Sequence, residues 1–249
     1  MEKKKNRAAR VLSRIVERGL RPWCSVILVA AGRSERMMGT EKVTALLEGK
    51  PTILRAAEPF EKSRLVDEII LVAREDLKEE TARILREGGI TKFRGAAVGG
   101  NTRTESVGSG LSLVNKKAKL VAIHDAARPL VSVTVLEEAI REAGKYCAAA
   151  PAVPVTDTIK VVEKNVVQNT PDRSRLMAVQ TPQVFSKDLL QGALANAERK
   201  GLKLTDDCSA LEAIGVPVHL TRGDRRNLKI TTPEDIWIAR MILRREERK

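Results

Sequence analysis

The chain has 249 residues with a formal net charge of +13, and aromatic side chains make up only 2% of it. This length allows one large domain or two small ones with a substantial core. So few aromatic side chains argue against a stacking platform for single-stranded nucleic acid. The positive charge suits an acidic ligand, but it does not distinguish a nucleotide from a nucleic acid or an anionic membrane.

Cysteine usage and hydropathy indicate the compartment. The three cysteines, Cys24, Cys147 and Cys208, are an odd number, are widely spaced and form no CxxC pair. They argue against a disulfide framework or a zinc site and favour a reducing compartment. The sequence contains no run of 18 apolar residues, so we predict no membrane-spanning helix. The basic N-terminus also lacks the apolar segment of a secretory signal. We therefore predict a cytoplasmic protein.

The first 22 residues differ in composition from the rest of the chain. Residues 1–22 carry eight basic and two acidic side chains, and apolar residues recur at helical spacing within 11–16. We predict a basic N-terminal extension over 1–22, followed by a single domain over 23–249. A solvated extension or an early start codon is the plainer interpretation, and an arm that binds nucleic acid or a membrane is the alternative.

A regular alternation of strand-length and helix-length segments begins after residue 22. Three apolar runs, at residues 25–30, 68–73 and 120–125, are typical of strands buried on both faces of a parallel sheet. Helix-length segments cover residues 52–63, 76–87, 102–114 and 133–143. This order predicts an α/β fold with a doubly wound, mostly parallel sheet.

Two features in the second half of the chain complete the prediction. Residues 158–163 and 166–170 flank Lys164-Asn165 and carry little core-type sequence, which indicates a β-hairpin arm at about 154–180 that leaves the main sheet. Such an arm commonly packs on a partner subunit. Near the C-terminus, Thr232 and Pro233 precede two acidic residues, which predicts a helix with Thr232 as its N-cap.

The loop after the first predicted strand is suited to an anion. It has the sequence AAGRSERM at residues 30–37 and lies where open α/β sheets bind ligands. Its first three residues are small, so a phosphate can approach their backbone N–H groups. Arg36 and Lys42 would add positive charge. The loop matches neither GxGxxG nor a P-loop, and by itself it is equally consistent with a glycine turn and solvated cations.

Similar polar clusters follow the other predicted strands. GGNTRTESV at 99–107 precedes a helix start, and HDAARP at 124–129 places Asp125 and Arg128 directly after a buried strand. Further short polar motifs are PVTDTIK, TPQ, TDDCSALE and NLKIT. Each is weak alone, since a glycine turn, a local ion pair or a core histidine explains it without a ligand.

In this order, the motifs resemble those of the 2-C-methyl-D-erythritol 4-phosphate cytidylyltransferase family over roughly Ser25 to Leu243. HDAARP followed by TDDxSALE and NLKIT is the specific part. The resemblance implies a nucleotide-diphospho-sugar transferase-like fold that joins CTP and the sugar-alcohol phosphate with release of pyrophosphate, in non-mevalonate isoprenoid precursor synthesis. It also implies Mg²⁺ held mainly by the CTP phosphates, with no metal-ligating side chain assigned.

The resemblance carries over residue by residue. It implies three catalytic cations: Arg36, Lys42 and Lys229. Nucleotide binding is implied for Ala30, Ala31, Gly32, Gly100, Asn101 and Ser106. Binding of the sugar-alcohol phosphate is implied for Asp125, Arg128, Thr158, Arg173 and Thr205. Because Thr158 and Arg173 lie in the arm, which in this family reaches the neighbouring subunit's site, a homodimer is expected.

Two departures and two alternatives accompany this assignment. Glu41 stands where the family usually has proline, and Asn101 stands where aspartate is common. The related ribitol 5-phosphate cytidylyltransferases share much of the pattern and are the first alternative. A catalytically idle basic protein that binds nucleic acid through residues 1–22 is the second. We expect CTP and a sugar-alcohol phosphate as the ligands, and neither a membrane nor nucleic acid.

Overall fold

The computed structural model describes residues 21–32 and 41–247, the last two without their side chains. Arg36 and most of the basic extension lie outside these residues. The strands are β1 (Cys24–Ala30), β2 (Leu46–Leu47), β3 (Lys50–Pro51), β4 (Glu68–Ala73), β5 (Phe93–Val98), β6 (Leu120–Asp125), β7 (Ala148–Pro154), β8 (Val161–Glu163), β9 (Val166–Asn169), β10 (Met177–Val179), β11 (Gln183–Ser186) and β12 (His219–Arg222). The helices are α1 (Thr52–Lys62), α2 (Lys78–Glu87), α3 (Arg103–Leu113), α4 (Val133–Tyr146), α5 (Lys187–Arg199), α6 (Asp207–Glu212) and α7 (Pro233–Glu247).

One sheet of eight strands forms the centre of the fold. Strands β5, β4, β1 and β6 are neighbours in that order and run parallel. Strand β11 then pairs antiparallel with both β6 and β7, while β10 and β12 also pair with β7. The sheet is therefore mostly parallel, as predicted. In its register Val29 lies opposite both Val72 and Asp125, so the carboxyl ends of three strands meet at one edge.

Side chains of β1 alternate between two cores, one on each face of the sheet. Val26 and Leu28 pack in the core that includes Phe60 of α1, Leu85 of α2 and residues of α4. Ile27 packs in the other core, with side chains of α3, α5 and α6. Because helices cover both faces, the predicted doubly wound arrangement is confirmed. A third, smaller cluster joins α7 to Leu47 and Ile230.

The predicted strands and helices agree with the observed ones within a few residues. Thr102 caps α3, its hydroxyl accepting a hydrogen bond from the backbone N–H of Glu105. Residues 75–77 form a 3₁₀ turn, so α2 begins at Lys78 and not at 76. At the start of α7, the Asp235 carboxylate accepts the backbone N–H of Thr232 at 2.9 Å, which is one of the two bonds of a capping box.

The predicted arm is a separate two-stranded sheet. Strands β8 and β9 pair only with each other among the described residues. Lys164 and Asn165 both have positive φ, 48° and 64°, as the tight turn of a two-residue hairpin requires. Every residue of both strands is exposed. The predicted hairpin is thus present, but Met177–Val179 near the end of the predicted arm pair with β7 in the central sheet. Packing of the hairpin on a partner subunit stays a prediction.

Candidate active site

A cavity of about 830 Å³ opens at the edge of the sheet where β1, β4, β5 and β6 end. It lies at the carboxyl ends of the parallel strands, the expected ligand position in this class of fold. Its lining residues are Val29, Ala30, Ala31, Gly32, Lys42, Val43, Arg74, Glu75, Asp76, Val98, Gly99, Gly100, Asn101, Thr102, Arg103, Ser106, Asp125, Ala127 and Lys229. The two glycine-containing motifs therefore face one common space.

The loop that enters α3 packs closely against the loop that leaves β1. The N–H of Gly99 donates to the carbonyl of Ala73 at 2.8 Å. A Cβ atom at Gly99 would collide with the Cβ of Ala31 and lie 3.0 Å from the hydroxyl of Ser106. That hydroxyl accepts the N–H of Gly100 at 3.1 Å and donates to the carbonyl of Thr102 at 2.9 Å. Small residues are required here because the two backbones approach without room for side chains.

Asp125 lies at the centre of the cationic part of the cavity. Its carboxylate accepts a hydrogen bond from Arg103 at 2.7 Å and lies 2.8 Å from the ammonium of Lys229. The Nε atom of Arg128 lies 3.8 Å away. Burial opposes the negative charge, but Arg103 and Lys229 outweigh it and hold the pKa of Asp125 well below its usual range. The carboxylate is therefore ionised at neutral pH.

Arg103 joins Asp125 to a second buried carboxylate. Its guanidinium also donates to Asp207 at 2.8 and 3.1 Å. Burial lowers the pKa of the guanidinium, but the two aspartates outweigh burial and raise it above its ordinary value. Burial raises the pKa of Asp207, and Arg103 only partly offsets that rise. One cation thus ties the start of α3 to the end of β6 and the start of α6.

A buried polar network holds the loop that presents Asp125 and Arg128. Burial lowers the pKa of His124 to about 4, so its ring is neutral at pH 7. The ring nitrogen facing a carbonyl must then carry the hydrogen: Nε2 donates to the carbonyl of Arg128 at 3.1 Å. Nδ1 accepts from the hydroxyl of Thr181 at 3.0 Å, and that hydroxyl accepts the N–H of Asp125 at 3.1 Å.

A charged rim borders the cavity on the β4 side. Arg74 donates to Glu41 at 2.9 Å and makes two bonds to Asp76, at 3.0 and 2.6 Å. Glu41, which departs from the family pattern, is therefore engaged by a cation of the rim. Among the residues that the structure describes, no group of three or more His, Cys, Asp or Glu side chains is placed to hold a metal ion.

Comparison with known proteins gives the family. The family model for 2-C-methyl-D-erythritol 4-phosphate cytidylyltransferase (IspD) matches residues 24–245. The chain belongs to this family. A relative with that name from Symbiobacterium thermophilum is 44% identical over 233 residues, which cover 93% of this chain and 97% of the relative. One from Caldanaerobacter subterraneus is 42% identical over 228 residues, with coverages of 89% and 99%.

A solved structure supports the same assignment. The 4-diphosphocytidyl-2C-methyl-D-erythritol synthase from Anaerococcus prevotii superposes with a TM-score of 0.80 at 30% identity, covering 90% of this chain and 96% of that one. The fold expected from the motifs is therefore confirmed. The match begins at residue 24, so all of residues 1–22 lie outside the matched region.

Nine of the site residues predicted for this family member line the cavity. They are Ala30, Ala31, Gly32, Lys42, Gly100, Asn101, Ser106, Asp125 and Lys229. Arg128 is not among the lining residues but approaches Asp125. Thr158, Arg173 and Thr205 are exposed and do not line the cavity of this protomer. Arg36 lies outside the described residues. Nothing in the structure tests the individual roles, which remain predictions.

Two residues of the cluster have no role in the predicted set. Arg103 belongs to the GGNTRTESV motif and Asp207 to TDDCSALE, so both lie inside motifs that the sequence singles out. Their importance comes from their contact, since Arg103 bonds to Asp207 across 104 positions of the chain. For Arg103 the sequence indication is its charge beside a predicted helix start, and for Asp207 it is only the place of this residue in a short polar motif.

Proposed function

We propose that the chain transfers the cytidylyl group of CTP to 2-C-methyl-D-erythritol 4-phosphate, giving 4-diphosphocytidyl-2-C-methyl-D-erythritol and pyrophosphate. Its family makes the chain a cytidylyltransferase of the non-mevalonate isoprenoid pathway. One observation supports the roles that we assign to individual residues. The small-residue loop and the cations around Asp125 line the same cavity. Such a cavity suits two phosphate-bearing substrates that must meet.

The nucleotide occupies the side of the cavity formed by β1 and α3. Gly100, Asn101 and Ser106 hold cytosine and ribose, and the amide side chain of Asn101 can donate to or accept from a ribose hydroxyl. The backbone at Ala30, Ala31 and Gly32 faces the phosphates. Lys42 supplies positive charge close to this backbone, since a Cβ at Gly32 would lie 3.6 Å from the Lys42 ammonium. Arg36 is assigned to the same triphosphate.

The sugar-alcohol phosphate occupies the side formed by β6 and the segment before α7. The ionised Asp125 accepts hydrogen bonds from hydroxyl groups, while Lys229 and Arg128 attract the phosphate. Lys229 is 41% exposed, whereas the Asp125 side chain is 8% exposed. The ammonium can therefore turn from Asp125 to the phosphate while the carboxylate stays fixed by Arg103. Thr205 completes this side from the loop before α6.

For this reaction the protein must align the two substrates and supply positive charge around their phosphates. A phosphate oxygen of the sugar alcohol attacks the α-phosphorus of CTP in line, and the bond from that phosphorus to the bridging oxygen of pyrophosphate breaks. The nucleophile is already ionised at neutral pH, so no general base is required. Arg36, Lys42 and Lys229 screen the repulsion between the two anions and stabilise the charge of the transition state.

We expect Mg²⁺ to be held mainly by the CTP phosphates. Asp125 already has three cations around it, and Asp76 is bonded to Arg74. These carboxylates are thus unlike a dedicated magnesium cage, which agrees with the usual binding of this ion through substrate phosphates and water. When bound, the ion neutralises part of the triphosphate charge and orients its oxygens.

We further propose a homodimer formed through the hairpin arm. The arm exposes apolar side chains on both faces, among them Val162 at 52%, Val166 at 61% and Val167 at 53%. A two-stranded hairpin cannot bury these side chains by itself, and exposed apolar patches of this kind mark protein interfaces. Thr158 and Arg173 would then enter the neighbouring subunit's cavity, in keeping with their exposure in this protomer.

Pyrophosphate release tests the proposed reaction. The purified chain is incubated with CTP, Mg²⁺ and either 2-C-methyl-D-erythritol 4-phosphate or ribitol 5-phosphate. We expect release with the first substrate, and a loss of about 10²–10³ in kcat for Lys42→Ala. Lys119→Ala is the matched control, because this exposed lysine precedes β6 at the opposite edge of the sheet. Release with ribitol 5-phosphate alone would overturn the substrate, and no release with either from folded protein would overturn the activity.

A further inference from the structure

Helix α7 presents an apolar stripe to solvent. Trp237 and Met241 are each 66% exposed and Ile238 is 51% exposed. The opposite side of the same helix packs on the body of the protein through Ala239 and Leu243. Apolar side chains of this size, so exposed together on one helix, mark an interaction surface.

The stripe has the spacing of a helix–helix seam. Glu234, Ile238, Met241 and Arg245 are separated by four, three and four residues, and all four are exposed. At about 100° per residue they fall within an arc of about 60°, facing away from Ala239 and Leu243. Alternating spacings of three and four are those of the packed positions in a coiled coil. We call these four residues the α7 seam.

The α7 seam is complementary to itself when a second copy runs in the opposite direction. The midpoint between Glu234 and Arg245 is also the midpoint between Ile238 and Met241. A two-fold axis through that midpoint therefore places Glu234 against Arg245 of the second copy, and Ile238 against Met241 of the second copy. The contact thus has two apolar pairs at its centre and an opposite-charge pair at each end.

Charge excludes the other simple arrangement. In a parallel pair, Glu234 would lie against the same glutamate of the second copy and Arg245 against the same arginine, so both ends would repel. Trp237 flanks the seam, and the Arg240 guanidinium lies 5.5 Å from the centre of its ring, which fixes the indole beside the apolar pairs. We propose that α7 forms an antiparallel, two-fold contact with α7 of a second copy of this chain.

This contact is distinct from the proposed arm interface and does not depend on the proposed reaction. The seam spans about 16 Å of helix, which is short for an interface that must hold two proteins alone. The association is therefore expected to depend on protein concentration. If the arm also forms a dimer, the α7 contact joins those dimers into larger assemblies.

Charge reversal tests the proposal by sedimentation velocity of the full chain over a range of concentrations. Glu234→Arg alone and Arg245→Glu alone each place like charges against each other. We expect each variant to show a lower average mass than the unaltered chain at high concentration, by up to twofold where the α7 contact alone joins two copies. Mixing the two variants, or combining both changes in one chain, restores opposite charges at every end and is expected to restore the mass.

The restoration separates this proposal from loss of folding and from other occupants of α7. Failure of both the mixture and the double variant to recover mass, with unchanged circular dichroism, would overturn the antiparallel contact. An average mass that none of the changes alters would overturn it as well. Two further experiments address other occupants of the stripe. Deletion of residues 2–20 tests whether the basic extension of this chain is the occupant. Sedimentation with vesicles of phosphatidylcholine and phosphatidylglycerol tests a lipid surface. Vesicle binding without a change in mass would assign the stripe to a lipid surface instead.

Discussion

Arg103 and Asp207 lie 104 positions apart in the chain, yet the guanidinium of one bonds to the carboxylate of the other at 2.8 Å inside the protein. The same guanidinium bonds to Asp125 at 2.7 Å. Only 2% of the Asp207 side chain and 8% of the Asp125 side chain are exposed. Removal of the shared cation leaves two carboxylates without enough compensation, and a buried unpaired charge is costly.

Arg103→Gln is therefore expected to lower the free energy of unfolding by about 3–5 kcal/mol, measured by urea denaturation at pH 7. Arg83→Gln is the matched control, because this arginine pairs at 3.9 Å with Glu87 on the exposed surface of α2. An exposed pair of this kind contributes about 0–1 kcal/mol. Equal losses from the two substitutions would contradict a structural role for the Arg103 cluster.

The contact between Gly99 and Ala31 predicts a different defect. Gly99→Ala places a methyl group against the Cβ of Ala31, in the wall that faces the proposed triphosphate. We expect a loss of about 1–3 kcal/mol in stability from overpacking, with a higher KM for CTP. Steady-state kinetics at varied CTP concentration, together with thermal unfolding, measure both effects.

Gly108→Ala is the control for the glycine prediction. A Cβ at Gly108 meets no atom within 4 Å, and the residue lies inside α3. Alanine in a helix interior is favoured over glycine by about 1 kcal/mol, so this variant should be at least as stable as the unaltered chain. If Gly99→Ala leaves the KM for CTP unchanged, the contact between Gly99 and Ala31 does not contribute to nucleotide binding.

The three parallel strands β1, β4 and β6 could be predicted from sequence because each is an unbroken apolar run buried on both faces. Strand β7 could not be recognised in this way. Its sequence, AAAPAVP, is rich in alanine and contains two prolines. Both residue types are depleted in strands, so local propensity disfavours a strand here. Tertiary packing overrides propensity here, since β7 pairs with β10, β11 and β12.

In the candidate site, too, some features could be predicted from local sequence and others depend on tertiary packing. The small residues and cations after β1 and β6 could be placed together because parallel strands end at one edge of the sheet, whereas β5, which leads into the GGNTRTESV motif, was not among the predicted strands. The bond between Arg103 and Asp207 depends on how α3 and α6 pack on that sheet, which no local pattern contains. Likewise, the sequence does not show which residue pairs with Glu41. The fold brings the guanidinium of Arg74 to 2.9 Å from its carboxylate.

His124 predicts how stability changes between about pH 4 and 6.5. Burial lowers its folded-state pKa to about 4, while an unfolded histidine titrates near 6.5. Above pH 6.5 both states are neutral there, so the residue adds no pH dependence. As pH falls from 6.5 towards 4, the unfolded chain binds a proton that the folded chain does not, so stability falls by about 1.4 kcal/mol per pH unit.

His124→Gln should remove this slope, measured as urea-unfolding free energies at pH 7, 6, 5 and 4. His219→Gln is the control, because the chain has two histidines and this variant keeps His124. The carboxylate of Asp125 adds its own slope only below about pH 5. Its folded-state pKa is lowered, so the stability that it contributes is fully present well above the unfolded value near 3.9 and is lost as pH falls towards and below that value. Identical slopes in both variants would refute the histidine assignment.

Mixing two inactive variants tests whether the arm acts across subunits. Lys229→Ala removes a cation from the cavity of its own protomer, while Arg173→Ala removes a cation that the proposed homodimer inserts into the neighbouring cavity. Each variant alone is expected to be inactive in pyrophosphate release. In a mixed dimer, one cavity receives both defects and the other receives neither. Refolding an equal mixture should therefore restore roughly a quarter of the unaltered activity, whereas an arm that serves its own protomer would restore none.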